Sequence, residues 1–322
     1  MNSSLLLFFY SMILGVMVSL CSNNFITIWL GLEISLVSFL PMMVNESLLS
    51  SESSMKYFII QAISSSLLLL GVMMMIMNYN WLGNLIIYLS LMIKIGVAPF
   101  HSWVLSVVEG LSYFCLFILL FMMKLVPLFI SSLMNISFML VALITMIFGA
   151  ISGLIQNSIR KLLALSSIYN LGLIISCIYE VSIWVVYFFV YGLILLSLLF
   201  LIENLNSSYL NQIITVEFDL SKKFIFWLVM LSMGGLPPFL GFFNKLIVIE
   251  FLILNDHFLT SIVLILTALM VIFYYIRLSF ISLMFFSLTL KFNLVKVSNV
   301  SFLIILINLM AFPFIILYNS LT

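Results

Sequence analysis

A chain of 322 residues in which 66% are apolar and only 7% charged does not have the polar side chains to cover a water-facing surface. A soluble domain carries about 45–50% apolar and about 25% charged residues, so a cytosolic enzyme, a secreted domain, a nucleic-acid binder and a disordered chain are all excluded. The net charge of +1 implies no electrostatic partner, and what remains is an all-α multi-pass membrane protein with room for about ten to twelve spans of about 20 residues each.

The first apolar run, 4–21, has neither the Arg-rich amphipathic pattern of an imported mitochondrial leader nor the basic start and cleavage site of a secretory signal. It is expected to be a retained transmembrane helix. Further spans are expected at 25–43, 56–77, 81–98, 110–134, 136–156, 160–178, 181–203, 223–240, 258–285 and 299–319, which makes about 11 in all. Three stretches between them are polar or mixed: 44–56, 204–223 and 286–298. The 11 Lys and Arg are too few to fix the orientation by the positive-inside rule. A bias of 21 Met and 31 Phe suits a chain made in an AT-rich organelle that reads one usual Ile codon as Met. Membrane spans rich in Phe and Met give the same bias.

Prolines interrupt this pattern at informative places. Gly96-Val-Ala-Pro99-Phe100 lies in the fourth expected span and Gly235-Leu-Pro-Pro238-Phe239 in the ninth. Both read G-x-x-P-F. A proline inside a span removes a backbone hydrogen bond and clashes one turn back, and a broken span is tolerated only where the freed groups meet protein or a wet cavity. An offset of five helices places the two copies in opposite orientation, and paired interrupted helices in an inverted repeat point to an ion site. Helices 1–5 are expected to form one repeat, helices 6–10 the other, with helix 11 an addition. The corresponding divisions are 1–134, 135–285 and 286–322. Pro127, three residues after Lys124, reads more simply as a packing kink.

A charge at the centre of a span costs at least about 2.5–3.5 kcal/mol, so ions there are functional candidates. Glu33 lies in WLGLEISLVSFLP, Lys94 five residues before Pro99, Lys124 in LLFMMKLVPLF, Lys245 after the second break, and Glu250 five residues further on. Arg160, Lys161, Glu180, Glu203 and Arg277 fall near expected span ends, where snorkelling to the interface explains them. Burial penalises the charge on each side chain. A Glu and a Lys in contact hold each other ionised, and drawing them apart makes the lysine release its proton. Glu33 and Lys94 are the natural pair, and Lys124 and Lys245 continue a chain of protonatable sites. Ser90, His101, Ser166, Ser167 and Asn170 lie between them, as holders of water wires or as glue between helices. The alternative is that the ions are static and only fix helix packing. Cys21, Cys115 and Cys177 have no metal or redox spacing, and two histidines make no metal site.

Several stretches in order, WLGLEISLVSFLPM, KYFIIQAISSSLLL, KIGVAPFHSWV, IRKLLALSSIYNLGLII and GGLPPFLGFFNKLIVIE, resemble the subunit 2 family of mitochondrially encoded NADH dehydrogenase (ubiquinone) of respiratory complex I. The likeness is to its shortened animal, invertebrate-like form, one of the antiporter-like subunits. It runs from about Asn23 to Glu250, and the last seventy or so residues match in hydropathy alone. The resemblance implies two inverted five-helix repeats, each with one discontinuous helix, and the absence of three N-terminal helices found in bacterial relatives. It also implies roles: Glu33 the glutamate of the first half-channel, Lys94 its partner, Lys124 the central lysine, Lys245 the lysine of the second broken helix, and His101 the histidine of APFH. The chain departs from the family at Met122-Met123, where Trp-Gln is common, at Asn244-Lys245-Leu246, where Pro-Lys-Trp is common, and at Asn170, where a histidine is usual. Asn cannot titrate, so a relay through that position needs water or the amide.

The function implied is proton translocation in the membrane arm of NADH:ubiquinone oxidoreductase, in the mitochondrial inner membrane. Expected neighbours are other membrane-arm subunits, antiporter-like siblings among them, and membrane lipids. No dinucleotide fingerprint and no cluster-binding cysteine set occurs, so NADH, FMN, iron–sulfur clusters and ubiquinone chemistry are expected in other subunits and no cofactor in this one. The alternatives are a free-standing cation/proton antiporter and a non-transporting membrane scaffold.

Overall fold

The computed structural model describes residues 3–45, 47–134, 138–205, 208, 209, 212, 220–284 and 308. Among the described residues the chain is helical throughout, apart from one isolated bridge between Ser158 and Tyr209. It divides into two compact units between Val141 and Ala142.

The first unit contains α1 (Ser3–Cys21), α2 (Phe25–Met43), α3 (Leu48–Ile76), α4 (Asn80–Ile95), α5 (Ser102–Val108) and α6 (Tyr113–Leu133). α1 and α2 cross where neither has a side chain: a Cβ on Gly15 would stand 2.8 Å from the Gly31 carbonyl oxygen. The core draws Val16 from α1, Ile28 and Leu32 from α2, Leu68 and Val72 from α3, Ile87 and Leu91 from α4, and Val126 and Ile130 from α6. α6 is not uniform. Ile118–Met122 forms a π turn, and ordinary α-helix resumes at Met123 with Pro127 inside it.

The second unit takes up most of α7 (Met139–Ile155) and contains α8 (Ile159–Ser176), α9 (Val181–Leu205), α10 (Leu220–Gly234), α11 (Leu240–Leu254) and α12 (Phe258–Met284). α8 is its hub: Leu162 through Ser176 are all buried. α9 and α11 pack on α8, and α10 packs on α9 and α12.

Seven described helices are long and apolar enough to cross a bilayer: α1, α2, α3, α6, α8, α9 and α12. Their outward faces carry large apolar side chains such as Leu7, Leu14, Phe189, Leu266 and Phe273, as lipid-facing helices do.

The structure redraws three expected boundaries. The polar stretch 44–56 is mostly helix: Ser47 caps α3 by accepting a hydrogen bond from Ser50 N at 3.3 Å, and Glu52 pairs with Lys56 one turn on. The fourth span stops at Ile95 and a short helix, α5, follows the break. The ninth span stops at Gly234, and Leu240–Leu254, of which only Leu240 falls within an expected span, is a helix of its own. The expected span 299–319 and the division 286–322, both apart from Asn308, and all of 213–219 lie outside the described residues.

Candidate functional site

Ending a helix inside a membrane leaves carbonyls of its last turn without amide partners, and no water in hydrocarbon supplies them. Where these carbonyls find donors determines what each break can do.

At the first break Gly96 takes a left-handed conformation (φ 76°) and Ala98–Pro99 is cis. The amides of Gly96 and Val97 both return to Met92 O, at 3.0 and 3.3 Å. The Trp103 indole donates to Ile93 O at 3.0 Å, and Gln61 Nε2 donates to Lys94 O at 3.4 Å. Three successive carbonyls are thus met by backbone, an indole and an amide. The Lys94 ammonium is not used for this purpose. Lys94 lines a cavity of about 20 Å³ with Lys124, Ser35, Tyr57, Gln61 and Pro127, room for about one water. Phe39, Tyr57 and Trp103 form a run of ring contacts (centroids 5.4 and 6.1 Å apart) beside it.

Lys94 and Lys124 are therefore brought to one cavity although 30 residues separate them in sequence. Glu33, half-buried on α2, acts electrostatically on both Lys94 and Tyr57. It does not reach Lys94 as a contact ion pair. The pair expected from the sequence is thus a pair across a gap, with Tyr57 in reach of the same carboxylate. His101 is half-buried in the turn just before α5. Lys124 stands immediately after the π turn. Such turns occur mostly as single insertions in α-helices, frequently at functional sites. Pro127, inside the same helix, also lines the lysine cavity.

The second break repeats the backbone of the first. Gly235 has φ 78° and Pro237–Pro238 is cis, and the amides of Gly235 and Leu236 return to Leu231 O at 3.0 and 3.2 Å. The Gly235 amide also reaches Ser232 O at 3.1 Å, and the last carbonyl before the glycine is met by a charged donor: the ammonium of Lys245, from α11, donates directly to Gly234 O. The same ammonium lies 5.8 Å from the centroid of the Tyr169 ring, a distance that fits a cation–π contact. α11 approaches so closely that a Cβ on Gly241 would stand 1.7 Å from Ser232 O.

Lys245 lines a second cavity, of about 10 Å³, with Asn170, Tyr187, Tyr191, Ser232 and Asn244. Asn170, the non-titrating residue at the expected histidine position, accepts from the Tyr187 hydroxyl at 2.8 Å. Asn244 donates to Tyr187 O at 3.4 Å. Glu250 is exposed on α11 and lines an apolar groove of about 310 Å³ with Lys245, Leu264 and Leu269. Arg277, expected to snorkel, is instead tied to protein: its guanidinium donates to Leu154 O and Gln156 O at 3.1 and 3.3 Å, at the end of α7.

The sequence reading overlooked several polar residues here. Gln61 and Trp103 are single polar groups in apolar runs, and the signal available was their rarity within a span. More conspicuous is a cluster of tyrosines in the second unit: Tyr169 on α8, Tyr187 and Tyr191 on α9, Tyr274 and Tyr275 on α12, all buried. The hydroxyls of Tyr169, Tyr191 and Tyr275 lie beside those of Thr267, Ser167 and Ser166, while the Tyr274 hydroxyl and the Asn244 Oδ1 have no hydrogen-bond partner among the described residues. A buried polar group left unsatisfied costs about 1–3 kcal/mol.

Chemically, each cavity sets an amine beside a space of water size and several hydroxyl or amide groups. An amine in that setting exchanges protons with a water at its side. Among the described residues no three His, Cys, Asp or Glu side chains come together to hold a metal.

Comparison with known proteins agrees with these features. The sequence profile of the family described as NADH:quinone oxidoreductase/Mrp antiporter, transmembrane, matches residues 22–272. NADH-ubiquinone oxidoreductase chain 2 of Anopheles gambiae is 40% identical over 294 residues, covering 85% of this chain and 84% of the relative. The protein of the same name in Mus musculus is 33% identical over 296 residues, covering 85% of each. A chain of respiratory complex I from Thermus thermophilus shares the fold with a TM-score of 0.81 at 18% identity, over 87% of this chain and 71% of that one. The chain thus belongs to the NADH:quinone oxidoreductase/Mrp antiporter membrane family, in the branch whose members are called NADH-ubiquinone oxidoreductase chain 2.

Proposed function

We propose that this chain is a proton-translocating subunit in the membrane arm of NADH:ubiquinone oxidoreductase, seated in the mitochondrial inner membrane beside antiporter-like siblings. Protons move through Glu33, Lys94, Lys124 and Lys245, with His101 and Glu250 as further candidates. Electron transfer takes place in partner subunits, which hold the NADH site, FMN, the iron–sulfur clusters and the ubiquinone site. The architecture that goes with this reading is two inverted five-helix repeats, each with one discontinuous helix, followed by an eleventh span.

The observation that carries the reading is the placement of three buried lysines. Lys94 precedes one helix break, Lys245 follows the other, and Lys124 follows a π turn. Each lines a small polar cavity. Static packing gives no reason to bury a lysine beside a cavity when its ammonium caps no carbonyl of the break, which is the case for Lys94. The gap between Glu33 and Lys94 suits a switch: drawing the carboxylate and ammonium together favours the proton on lysine, and separating them favours its release.

The test is Lys124→Ala in the assembled complex. The expected result is a complex of normal size on a native gel that oxidises NADH with a water-soluble acceptor but has lost proton pumping. An assembled Lys124→Ala enzyme with a normal proton-to-electron ratio would overturn the role. Finding the unaltered chain only in a small native-gel band without NADH dehydrogenase activity would overturn the membership of the large complex and favour the free-standing antiporter.

A further inference from the structure

We propose that the groove between α11 and α12 holds a lipid with a primary ammonium head, phosphatidylethanolamine, seated by Glu250. The proposal asks only that the chain span a membrane, and it stands whether or not Glu250 also passes a proton.

The groove has a volume of about 310 Å³, against about 10 Å³ for the polar cavity that Lys245 also lines. Its walls are one row of side chains from each helix: Phe242, Leu246 and Glu250 from α11, and Leu264, Ala268 and Ile272 from α12. Residues four apart stand above one another on a helix face, so the groove follows the helix axes. Ile272 marks the end at the break: a Cβ on Gly234 would stand 3.7 Å from its Cα, and Gly235 lines the same end. At the other end α11 finishes at Leu254, and the chain turns through exposed Asn255, Asp256 and His257 into α12. Such a turn, polar and open, belongs at the membrane surface, since hydrocarbon does not tolerate irregular backbone. Glu250 stands one helical turn short of Leu254, about 6 Å away along the axis.

The dimensions favour a hydrocarbon chain. From Phe242 to Glu250 the helix rises about 12 Å. Spread over that length, the volume gives a slot about 25 Å² in section, whereas a helix is about 10–12 Å across. An extended acyl chain fits such a slot and a neighbouring helix does not. Ala268, between Leu264 and Ile272, is the small residue that leaves the slot its depth. Ile265 and Leu269, which also line it, are exposed, so the slot opens to the outside of the unit.

The charge selects the head. From Leu246 to Ile276 the chain has two carboxylates, Glu250 and Asp256, and neither lysine nor arginine. Glu250 makes no hydrogen bond or ion pair among the described residues. A carboxylate within a membrane is costly without a partner, and its short side chain lacks the reach with which lysine and arginine snorkel. A primary ammonium offers three N–H donors and a positive charge. A choline head has the charge without the donors, and a glycerol head adds no positive charge to its phosphate. The site therefore prefers phosphatidylethanolamine, with its ammonium on Glu250 and one acyl chain running down the slot to the break.

The test adds phosphatidylethanolamine with a photoreactive diazirine near the end of one acyl chain to the full assembled complex in mild detergent. Labelled peptides are located by mass spectrometry. Label is expected within 242–246 or 268–272, where the chain ends beside the break. An excess of unlabelled phosphatidylethanolamine is expected to displace it, and phosphatidylcholine or phosphatidylglycerol to do so about tenfold less well. Glu250→Gln is expected to assemble on a native gel and to lower the labelling about tenfold, the worth of one charge-assisted hydrogen bond. Ala268→Phe, which fills the slot and leaves the carboxylate in place, is expected to lose the label too. Equal displacement by the three lipids, with Glu250→Gln labelled as strongly as the unaltered chain, overturns the proposal and leaves an ordinary hydrocarbon contact. No label, with a density map of the complex showing a neighbouring protein helix against the groove, overturns it in favour of a subunit contact. If Glu250→Gln does not assemble, the competition among the three lipids in the unaltered complex decides. None of these outcomes bears on pumping, which Lys124→Ala tests separately.

Discussion

The two helix breaks share a backbone and differ in who meets the freed carbonyls. Both have a left-handed glycine, a cis proline and amides folded back onto the preceding turn. In the first, an amide from α3 and an indole from α5 supply the donors, and the Lys94 ammonium is spared for the cavity it shares with Lys124. In the second, the Lys245 ammonium is itself the donor, to Gly234 O. The lesson is that a lysine beside a broken helix can be a structural cap or a free ion, and the motif G-x-x-P-F does not say which. One break leaves its ion to a cavity shared with Lys124, in the field of Glu33. The other has made its ion part of the backbone accounting.

That difference predicts how far each unit tolerates change. The largest effect is expected at Gly241, six residues after the glycine of the second break, and its counterpart six residues after the first glycine is Ser102. Gly241→Ser puts a side chain where even a Cβ meets Ser232 O at 1.7 Å, and no assembled complex should form on a native gel. Ser102→Gly, at an exposed position, should leave assembly intact. The lysines come next. Lys245→Met removes the donor of Gly234 O and should cost about 1–3 kcal/mol, lowering the melting temperature of the assembled complex as well as stopping pumping. Lys94→Met orphans no carbonyl, so pumping should fall with no loss of thermal stability, and equal destabilisation by the two changes would erase the distinction. Gln61→Leu likewise leaves a carbonyl, Lys94 O, without its donor, and because that bond is long at 3.4 Å the cost should be about 1 kcal/mol, the low end for a buried acceptor left unmet. The smallest effect belongs to Lys56→Ala. Its pairing with Glu52 on an exposed turn of α3 contributes at most about 0.5 kcal/mol, which melting of the complex should barely register.

The sequence carried the membrane class, the two breaks and the buried ions, because rare residues in apolar runs stand out. It did not carry the partners of those ions. Gln61 and the Lys94 carbonyl are 33 residues apart, and no local pattern joins them. α11 is hidden in the sequence because Lys245 and Glu250 make 241–257 look unlike a span. The start of α3 was hidden by serines that favour loops in isolation and here serve as a cap and as helix. The tyrosine cluster is not legible in the sequence, since periodicity registers a ring and says nothing of where its hydroxyl is buried. Glu33 acts on Lys94 without touching it, and that gap is set by how α2 packs against α1 and α3, which no local pattern records.

The π turn at Ile118–Met122 has a consequence for Lys124 that is a matter of counting. A helix that advances by the ordinary 3.6 residues per turn rotates each side chain by about 100° from the last, and one residue accommodated in a wider turn shifts everything after it by that step relative to everything before. The bearing of the lysine is therefore set by an extra residue among five apolar ones that never touch a proton. Deleting a single residue from that turn would let the helix close into a regular spiral and swing Lys124 about a quarter of the way round, away from Lys94, with the composition of the segment almost unchanged. In this segment a residue's worth lies less in what it is than in the fact that it is there.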